Sequence, residues 1–286
     1  MQLRDRHFDL RKPLLVGILN LTPDSFSDGG QLPTLDDLLR RAEQLVRDGA
    51  DILDLGGEST RPNATPVSAE QEAGRVLPAI AALAQRVDVP LSVDTRRAGV
   101  ARAALELGAA MVNDVSGFGD PQMGEIVARS GAAWVLMHMP HAVGQMAPSQ
   151  KIASLPDEPQ AALRQIADDL AVTVARAVAA GVDRQQLAID PGLGFGKSVQ
   201  QNLVLLRRSD ALAALDLPLY LGPSRKSFLG VVTGASVADR LGATAAAVAA
   251  AVFAGASFVR VHDVRLMRQV LDVAASIRDA GREPVC

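Results

Sequence analysis

Eight short apolar runs, each followed by a longer amphipathic stretch, restrict the fold of this chain more than any other feature. They lie at 14–20, 51–57, 90–95, 111–115, 133–139, 187–192, 218–222 and 258–263. They are rich in Val, Ile and Leu and usually follow a Gly or Pro, which is how strands buried on both faces read. The stretches between them have helical spacing. In 34–48, Leu35, Leu38, Leu39, Ala42 and Leu45 share one face, with Thr34 as N-cap and Asp37 at its N3 position. In 68–86, Ser68 and Gln71 make a capping-box pair. Gly49, Gly108, Gly131 and Gly181 sit just past helix ends, where a left-handed residue is needed. Such alternation builds either a closed barrel or a doubly wound open sheet. The reading adopted is α/β, a single (β/α)8 TIM-type barrel over residues 1–286. Residues 1–13 would cap the barrel bottom as a short hairpin.

The rest of the chain is consistent with one enzyme-like domain. No Ser/Gly/Pro-rich linker or charge block divides its 286 residues. A formal net charge of −3 gives no electrostatic reason to expect nucleic acid or an anionic membrane. The N-terminal MQLRDRHFDLRK is charged throughout and does not read as a signal peptide. The Ala-rich run 241–259 is broken by three glycines and reads as a buried helix and its turn, not a membrane span. A lone cysteine, Cys286, cannot form an internal disulfide, which fits a cytoplasmic setting. The histidines, at positions 7, 138, 141 and 262, show no zinc spacing.

The ends of the candidate strands carry residues that strands rarely hold. They are Asn20, Asp54 with Glu58, Asp94, Asn113 with Asp114, His138, Asp190, Ser224-Arg225-Lys226, and Arg260 with His262. A single Asp after a strand usually caps the next helix. Six or more polar residues on one rim are harder to explain that way, and in a barrel that rim is where active sites form. Asp94, Asn113, Asp190 and Lys226 can recognise a ligand edge rich in N–H donors, such as an amino-pyrimidinone. Asn20, Arg260 and His262 suit an anion. Arg260 and His262 point the same way, and a helix starting near Asp263 would aim its positive end at them. Asn20, which is uncharged, could bind a metal ion carried by a phosphate group.

Two connections, 21–33 and 58–67, are longer than the roughly 2–6 residues a barrel turn needs. Asp24, Phe26, Asp28, Ser59, Thr60 and Arg61 are placed in them to cover a ligand, so both read as lids. The glycine-rich stretch 192–198 lacks a Walker pattern and reads as a tight turn with Phe195 exposed over the pocket. Trp134 and Met111 read as packing, and His138 as a hydrogen-bonded histidine of the barrel interior. There is no GxSxG motif to support a serine hydrolase.

Seven motifs in order resemble dihydropteroate synthase, the folate-pathway enzyme that joins p-aminobenzoate to a hydroxymethyl-dihydropterin pyrophosphate. They are GILNLTPDSFSDGG (17–30), GGESTRP (56–62), SVDT (92–95), ND (113–114), DPGLGFGK (190–197), SRKS (224–227) and RVHD (260–263). The resemblance implies pterin binding by Asp94, Asn113, Met137, Asp190, Lys226 and Arg260. It implies pyrophosphate binding by Asn20, Ser59, Thr60, Arg260 and His262, with Mg²⁺ on Asn20. It implies a p-aminobenzoate site of Thr60, Arg61, Pro62, Phe195, Ser224 and Phe26, and hence binding of sulfonamides, which mimic p-aminobenzoate. Asp94, Asp190, Lys226, Arg260 and His262 would be the catalytic set. The implied partners are these small molecules and a second copy, since dimers of the family pair through their last helices. The helix expected at 244–256 is apolar nearly all round and should be buried on every side, within the fold or against that copy. The stretch 140–149 lacks the Gly-containing continuation usual in the family. Three alternatives are a folate-dependent methyltransferase, which would have no use for the Arg260/His262 pair, a non-catalytic pterin-binding paralogue, which should have lost site residues, and a generic phosphate-binding barrel, which would leave Asp94 and Asp190 without a purpose.

Overall fold

In the computed structural model, which describes residues 1–4, 6–21, 34–59, 66–140 and 155–281, all eight apolar runs are strands of one parallel sheet. Two short strands precede them, β1 (Gln2–Leu3) and β2 (Arg6–His7), paired antiparallel as the expected hairpin. The sheet strands are β3 (Leu14–Asn20), β4 (Ile52–Gly56), β5 (Leu91–Asp94), β6 (Met111–Asp114), β7 (Ala133–Met137), β8 (Leu187–Asp190), β9 (Tyr220–Leu221) and β10 (Phe258–Val261). Their order is β8-β7-β6-β5-β4-β3-β10-β9, and a bridge between Ile189 and Leu219 joins the two ends. An open doubly wound sheet is thereby excluded.

The helices that return the chain are α1 (Leu35–Arg47), α2 (Ala69–Leu83), α3 (Ala98–Glu106), α4 (Met123–Ser130), α5 (Pro159–Ala179), α6 (Val199–Arg208), α7 (Ser227–Thr233), α8 (Leu241–Phe253) and α9 (Val264–Asp279). Capping boxes start α1 at Thr34 and α2 at Ser68, as the sequence leads one to expect. Gly49, Gly108, Gly131 and Gly181 all have positive φ. One helix was not foreseen: α7 follows the SRKS turn, so β9 and β10 are separated by two helices.

Period-two alternation divides the core into two layers. Leu19, Leu53, Leu55, Val93, Val112, Trp134, Leu136, Ile189, Leu221, Val259 and Val261 point outward and pack beneath the helices. Val16, Ile52, Met111, Ala133, Val135, Ala188, Tyr220 and Phe258 point inward, with Leu3 of the hairpin closing the bottom. Trp134 and Met111 are thus packing residues. The interior is apolar only in its lower half. Two residues beyond Ile52, Met111, Ala188 and Phe258 stand Asp54, Asn113, Asp190 and Arg260, and Asp94 stands two beyond the buried Ser92, so the change from oil to charge occurs within one turn of the pleat.

The first of the two burials expected of the Ala-rich helix, within the fold, covers only one of its faces. On α8, Thr244, Ala247, Val248, Ala251 and Val252 are buried, but Leu241 and Phe253 are exposed in the protomer. Its neighbour α9 also exposes Leu266, Val273 and Ile277. Small alanines let one face of α8 sit close against the barrel, and among the described residues no element of the protomer covers the other face.

Candidate active site

The polar residues at the strand ends converge because the register places them together. Asn20 pairs with Gly56, Gly56 with Asp94, and Asp94 with Asn113, which makes one layer across four adjacent strands. Gly56 leaves the centre of that layer open: a Cβ there would lie 3.6 Å from Asp94 Oδ2 and 3.7 Å from Asn20 Oδ1. On the opposite wall Met137 pairs with Asp190.

Below this layer lies Asp54, fully buried. Its Oδ2 accepts from Arg260 Nε at 2.6 Å and from Asn113 Nδ2 at 3.0 Å, while its Oδ1 has no partner among the described residues. Arg260 Nη2 donates to Asp94 Oδ2 at 2.8 Å. The Arg260 side chain therefore rises from β10 and spans two carboxylates. Because Asn113 donates its amide N–H to Asp54, its carbonyl oxygen is left for the barrel mouth.

Burial dominates the electrostatics. It pushes Asp94 up to about 7, against the pull of Arg260 and with help from the charge of Asp54. It pushes Asp190 up to about 6, although the Gly192 N–H donates to Asp190 Oδ1 at 2.7 Å. Burial also lowers Lys226 to about 8, opposed by Asp190. For Arg260 burial works against the charge, but Asp54 and Asp94 beside it hold its pKa above the ordinary value. The site thus holds carboxylates and an amine that titrate near neutrality, the usual signature of a chemical centre.

The turn after β8 covers one side. Gly192, Gly194 and Gly196 all have positive φ. A Cβ at Gly192 would collide with the His138 carbonyl, so the glycine permits that close approach. The turn presents Phe195, half-buried where exposure had been expected, with Lys226 Nζ 3.9 Å from its ring centroid. On the other side, the Ser224 hydroxyl lies 3.0 Å from His262 Nδ1 and accepts the His262 backbone N–H at 3.3 Å. The direction of the Ser224–His262 bond follows the tautomer: where the hydroxyl donates to Nδ1, the hydrogen of a neutral His262 sits on Nε2. Helix α9 starts at Val264, two residues later, so its positive end lies beside this imidazole. Asn20 and Ser59 are half-buried at the rim.

The Pterin binding enzyme family matches residues 16–262 of this chain. A dihydropteroate synthase from Synechocystis is 40% identical over 269 residues, 93% of this chain and 91% of that protein. The chain belongs to the pterin-binding enzymes, among the dihydropteroate synthases. A probable bifunctional folylpolyglutamate synthase/dihydropteroate synthase from Haloferax volcanii is 43% identical over 94% of this chain, which spans only 31% of that longer protein. Among solved structures, a dihydropteroate synthase from Clostridium difficile, determined in the presence of pteroic acid, superposes with a TM-score of 0.86 at 38% identity. It covers 95% of this chain and 99% of its own.

Within this dihydropteroate synthase fold, Asp94, Asn113, Met137, Asp190, Lys226 and Arg260 come together, with Phe195, Ser224, His262 and Asn20 around them, and Ser59 stands in the loop after β4. Phe26, Thr60, Arg61 and Pro62, the lid residues Asp24 and Asp28, and the unusual stretch from 141 onward lie outside the described residues. His138 is a correction. It is buried, but it does not face the barrel interior: it follows the inward Met137 and so points outward, its Nε2 3.1 Å from Asp169 on α5. Burial lowers it to about 4, helped by Lys197.

Three groups have roles that the sequence does not reveal. Asp54 is the shared acceptor described above. Lys197 is fully buried, donates to the carbonyls of Phe195 (3.0 Å) and His138 (3.4 Å), and is lowered by burial to about 7. Glu58 joins Arg96 (3.2 Å) and Arg97 (3.0 Å), and Arg97 also pairs with the buried Glu72. Glu58 takes the Val67 N–H at 3.3 Å and Arg97 donates to the Val67 carbonyl at 2.6 Å, so the network ties the two ends of the second long connection.

Proposed function

We propose that this protein condenses p-aminobenzoate with 6-hydroxymethyl-7,8-dihydropterin pyrophosphate, forming 7,8-dihydropteroate and releasing pyrophosphate. The observation that carries the reading is the buried Asp54–Arg260–Asp94 bridge, with Asn113, Asp190 and Lys226 around it, in one barrel mouth next to an anion-binding rim.

The pterin lies flat on this floor. Asp190 accepts from its amino and ring N–H groups, the Asn113 oxygen adds an acceptor, and Lys226 donates to its carbonyl. The pyrophosphate faces His262 Nε2–H, the N-terminus of α9, and Asn20. Among the described residues, no three His, Cys, Asp or Glu side chains gather into a cage for a cation. The Asn20 amide oxygen, 3.7 Å from where a Gly56 Cβ would stand, would instead be the protein's ligand to Mg²⁺ brought in with the pyrophosphate. When bound, Mg²⁺ would neutralise charge on the departing pyrophosphate. The His262 Nε2–H and the α9 backbone N–H groups hold that leaving oxygen as the methylene C–O bond breaks. Asp94 and Asp190 stabilise the cationic pterin that remains. The p-aminobenzoate amine, placed by Phe195 and Ser224, then forms the C–N bond and gives its proton to solvent. No side-chain nucleophile is required.

The exposed apolar residues Leu266, Val273 and Ile277 fall seven and four residues apart, on one face of α9. Together with Leu241 and Phe253 of α8 they support a homodimer formed through these helices, which a sedimentation measurement showing only monomer would refute. Among the described residues no helix is long and apolar enough to cross a membrane, and we place the enzyme in the cytoplasm.

The deciding experiment measures pyrophosphate release from the pterin substrate with Mg²⁺, with and without p-aminobenzoate. Release coupled to dihydropteroate formation is expected. Tight pterin binding without release would overturn the synthase reading.

A further inference from the structure

We propose that Arg240 is a positioning residue for the pterin site, acting through the turn that carries Ser224, Arg225 and Lys226. The proposal rests on the synthase reading above. Arg225 sits at φ 57, in the left-handed region that a side chain with a Cβ rarely adopts. Such a conformation persists only where its surroundings hold it.

The holding groups come from the start of α8. Arg240, the residue before that helix, donates from Nη1 to the Arg225 carbonyl at 3.0 Å and to the Lys226 carbonyl at 3.5 Å. Its Nε donates to the Ala235 carbonyl at 3.3 Å. The Arg225 N–H donates to the fully buried Thr244 hydroxyl at 3.1 Å. The guanidinium of Arg240 lies against Gly230 of α7, where any Cβ would collide with it.

The same turn is tied to the anion side. Arg225 makes a two-pronged ion pair with Asp263, at 3.1 and 2.7 Å, and Asp263 directly follows His262. Arg240 therefore fixes the backbone from which Lys226 reaches the pterin, and that backbone is joined to the residue next to the pyrophosphate ligand. Without Arg240 the Arg225 and Ala235 carbonyls lose this donor, the Lys226 carbonyl keeps only the Leu229 N–H, and the strained turn can relax. The Lys226 ammonium would then leave its place over Phe195.

The test measures 6-hydroxymethylpterin binding by calorimetry, together with the kcat and KM of the full reaction, for Arg240→Ala, Arg240→Lys and Thr244→Val. Arg240→Ala should weaken pterin binding by about tenfold and lower kcat as well, since it removes charge-assisted hydrogen bonds. Arg240→Lys, which keeps a donor for the carbonyls, should recover part of the loss, and Thr244→Val should shift binding in the same direction as Arg240→Ala. Leu3→Ala, a cavity at the barrel bottom, is the control for destabilisation alone and should leave pterin affinity unchanged. Pterin affinity in Arg240→Ala equal to wild type, or an equal loss in Leu3→Ala, would overturn the proposal. If Arg240→Ala does not fold, the lysine and valine variants decide by the same criterion. A wild-type protein that binds pterin but forms no dihydropteroate would sink the synthase reading, while the binding comparison would still judge Arg240.

Discussion

Asp54→Asn separates the charge of the buried bridge from its hydrogen bonds. Oδ2 of Asp54 does both accepting jobs, and among the described residues Oδ1 has no partner. An asparagine with its oxygen at the Oδ2 position keeps both bonds and loses the negative charge, with its NH2 group taking the buried Oδ1 place. Asp54 and Asp94 hang on one guanidinium, at 2.6 and 2.8 Å, which sets their charges within about 6 Å of each other. At an effective dielectric of about 20, two like charges at that separation repel by about 3 kcal/mol, or about two pKa units. Asp94 is 12% exposed to the open mouth, so screening reduces the effect to about one unit. The Asp94 carboxyl, now at about 7, should therefore fall toward 6, where Asp190 already titrates. The ionised form serves the cationic pterin, so the acidic limb of kcat/KM, which reports the free enzyme, should move down by about one pH unit. The assay is dihydropteroate formation at subsaturating pterin substrate across the acidic range, with a cooperative melt to confirm folding. An acidic limb that stays near neutrality, or moves up, would refute the assignment of Asp94 and its coupling to Asp54.

Three further outcomes follow from the same geometry. Lys197 is lowered from 10.5 to about 7, so its contribution to stability is present above the ordinary lysine pKa and is lost as pH falls through about 7. Lys197→Met should remove up to about 1.4 kcal/mol per pH unit from the rise of unfolding free energy on the alkaline side of neutrality, measured by urea titration; an unchanged slope would count against the buried charge. Ser224→Ala should free the His262 tautomer, visible as loss of the Nε2–H preference in ¹⁵N spectra, and lower kcat by about tenfold; an unaltered tautomer would show that Ser224 does not set it. Phe195→Leu removes a ring that favours the Lys226 cation by up to about 2 kcal/mol, so Lys226 should titrate about one unit below its present value of about 8. The basic limb of kcat/KM should move down with it, and a limb that moved up would contradict the contact.

The strands and their polar ends were legible because each buried strand is a short apolar run, and because a strand end that holds Asp or Asn departs from that pattern at once. Asp54 was visible as a strand-end carboxylate, but its role was not. It depends on Arg260 reaching across from β10 with a side chain long enough to span two strands, and spacing within one strand carries no such information. Lys197 was hidden for a similar reason: a lysine in a Gly-rich turn reads as exposed until the turn is known to fold back onto the carbonyl of His138. The error at His138 was one of phase. Counting on from Met137 by the period of two places it outward, toward α5, and a single-residue count decides it. Helix α7 was missed because it is one short element behind a functional turn, and α8 was judged from composition, which cannot tell a face covered by the barrel from a face left open.

The charges of the barrel mouth explain why one site can bind a neutral ring and then stabilise a cation. Asp54, Asp94 and Asp190 stand against Arg260, Lys226 and Lys197, so the buried floor holds as many acids as bases. A neutral pterin ring adds no charge to this floor and would be held there by hydrogen bonds to Asp190, Asn113 and Lys226. Loss of the pyrophosphate changes the balance, because positive charge now appears on the ring beside Asp94 and Asp190. Both carboxyls sit near neutrality only because burial opposes their charge, and a cation in contact removes that opposition. The developing cation therefore draws these groups toward their ionised forms as it forms, and each stabilises it more in the transition state than it stabilised the bound substrate. Interactions that strengthen only along the reaction are the ones that raise kcat. The raised carboxyl pKa values are on this view a requirement of the chemistry: a floor of permanently ionised carboxylates would hold its counter-ions, or the Arg260 bridge, too tightly to respond.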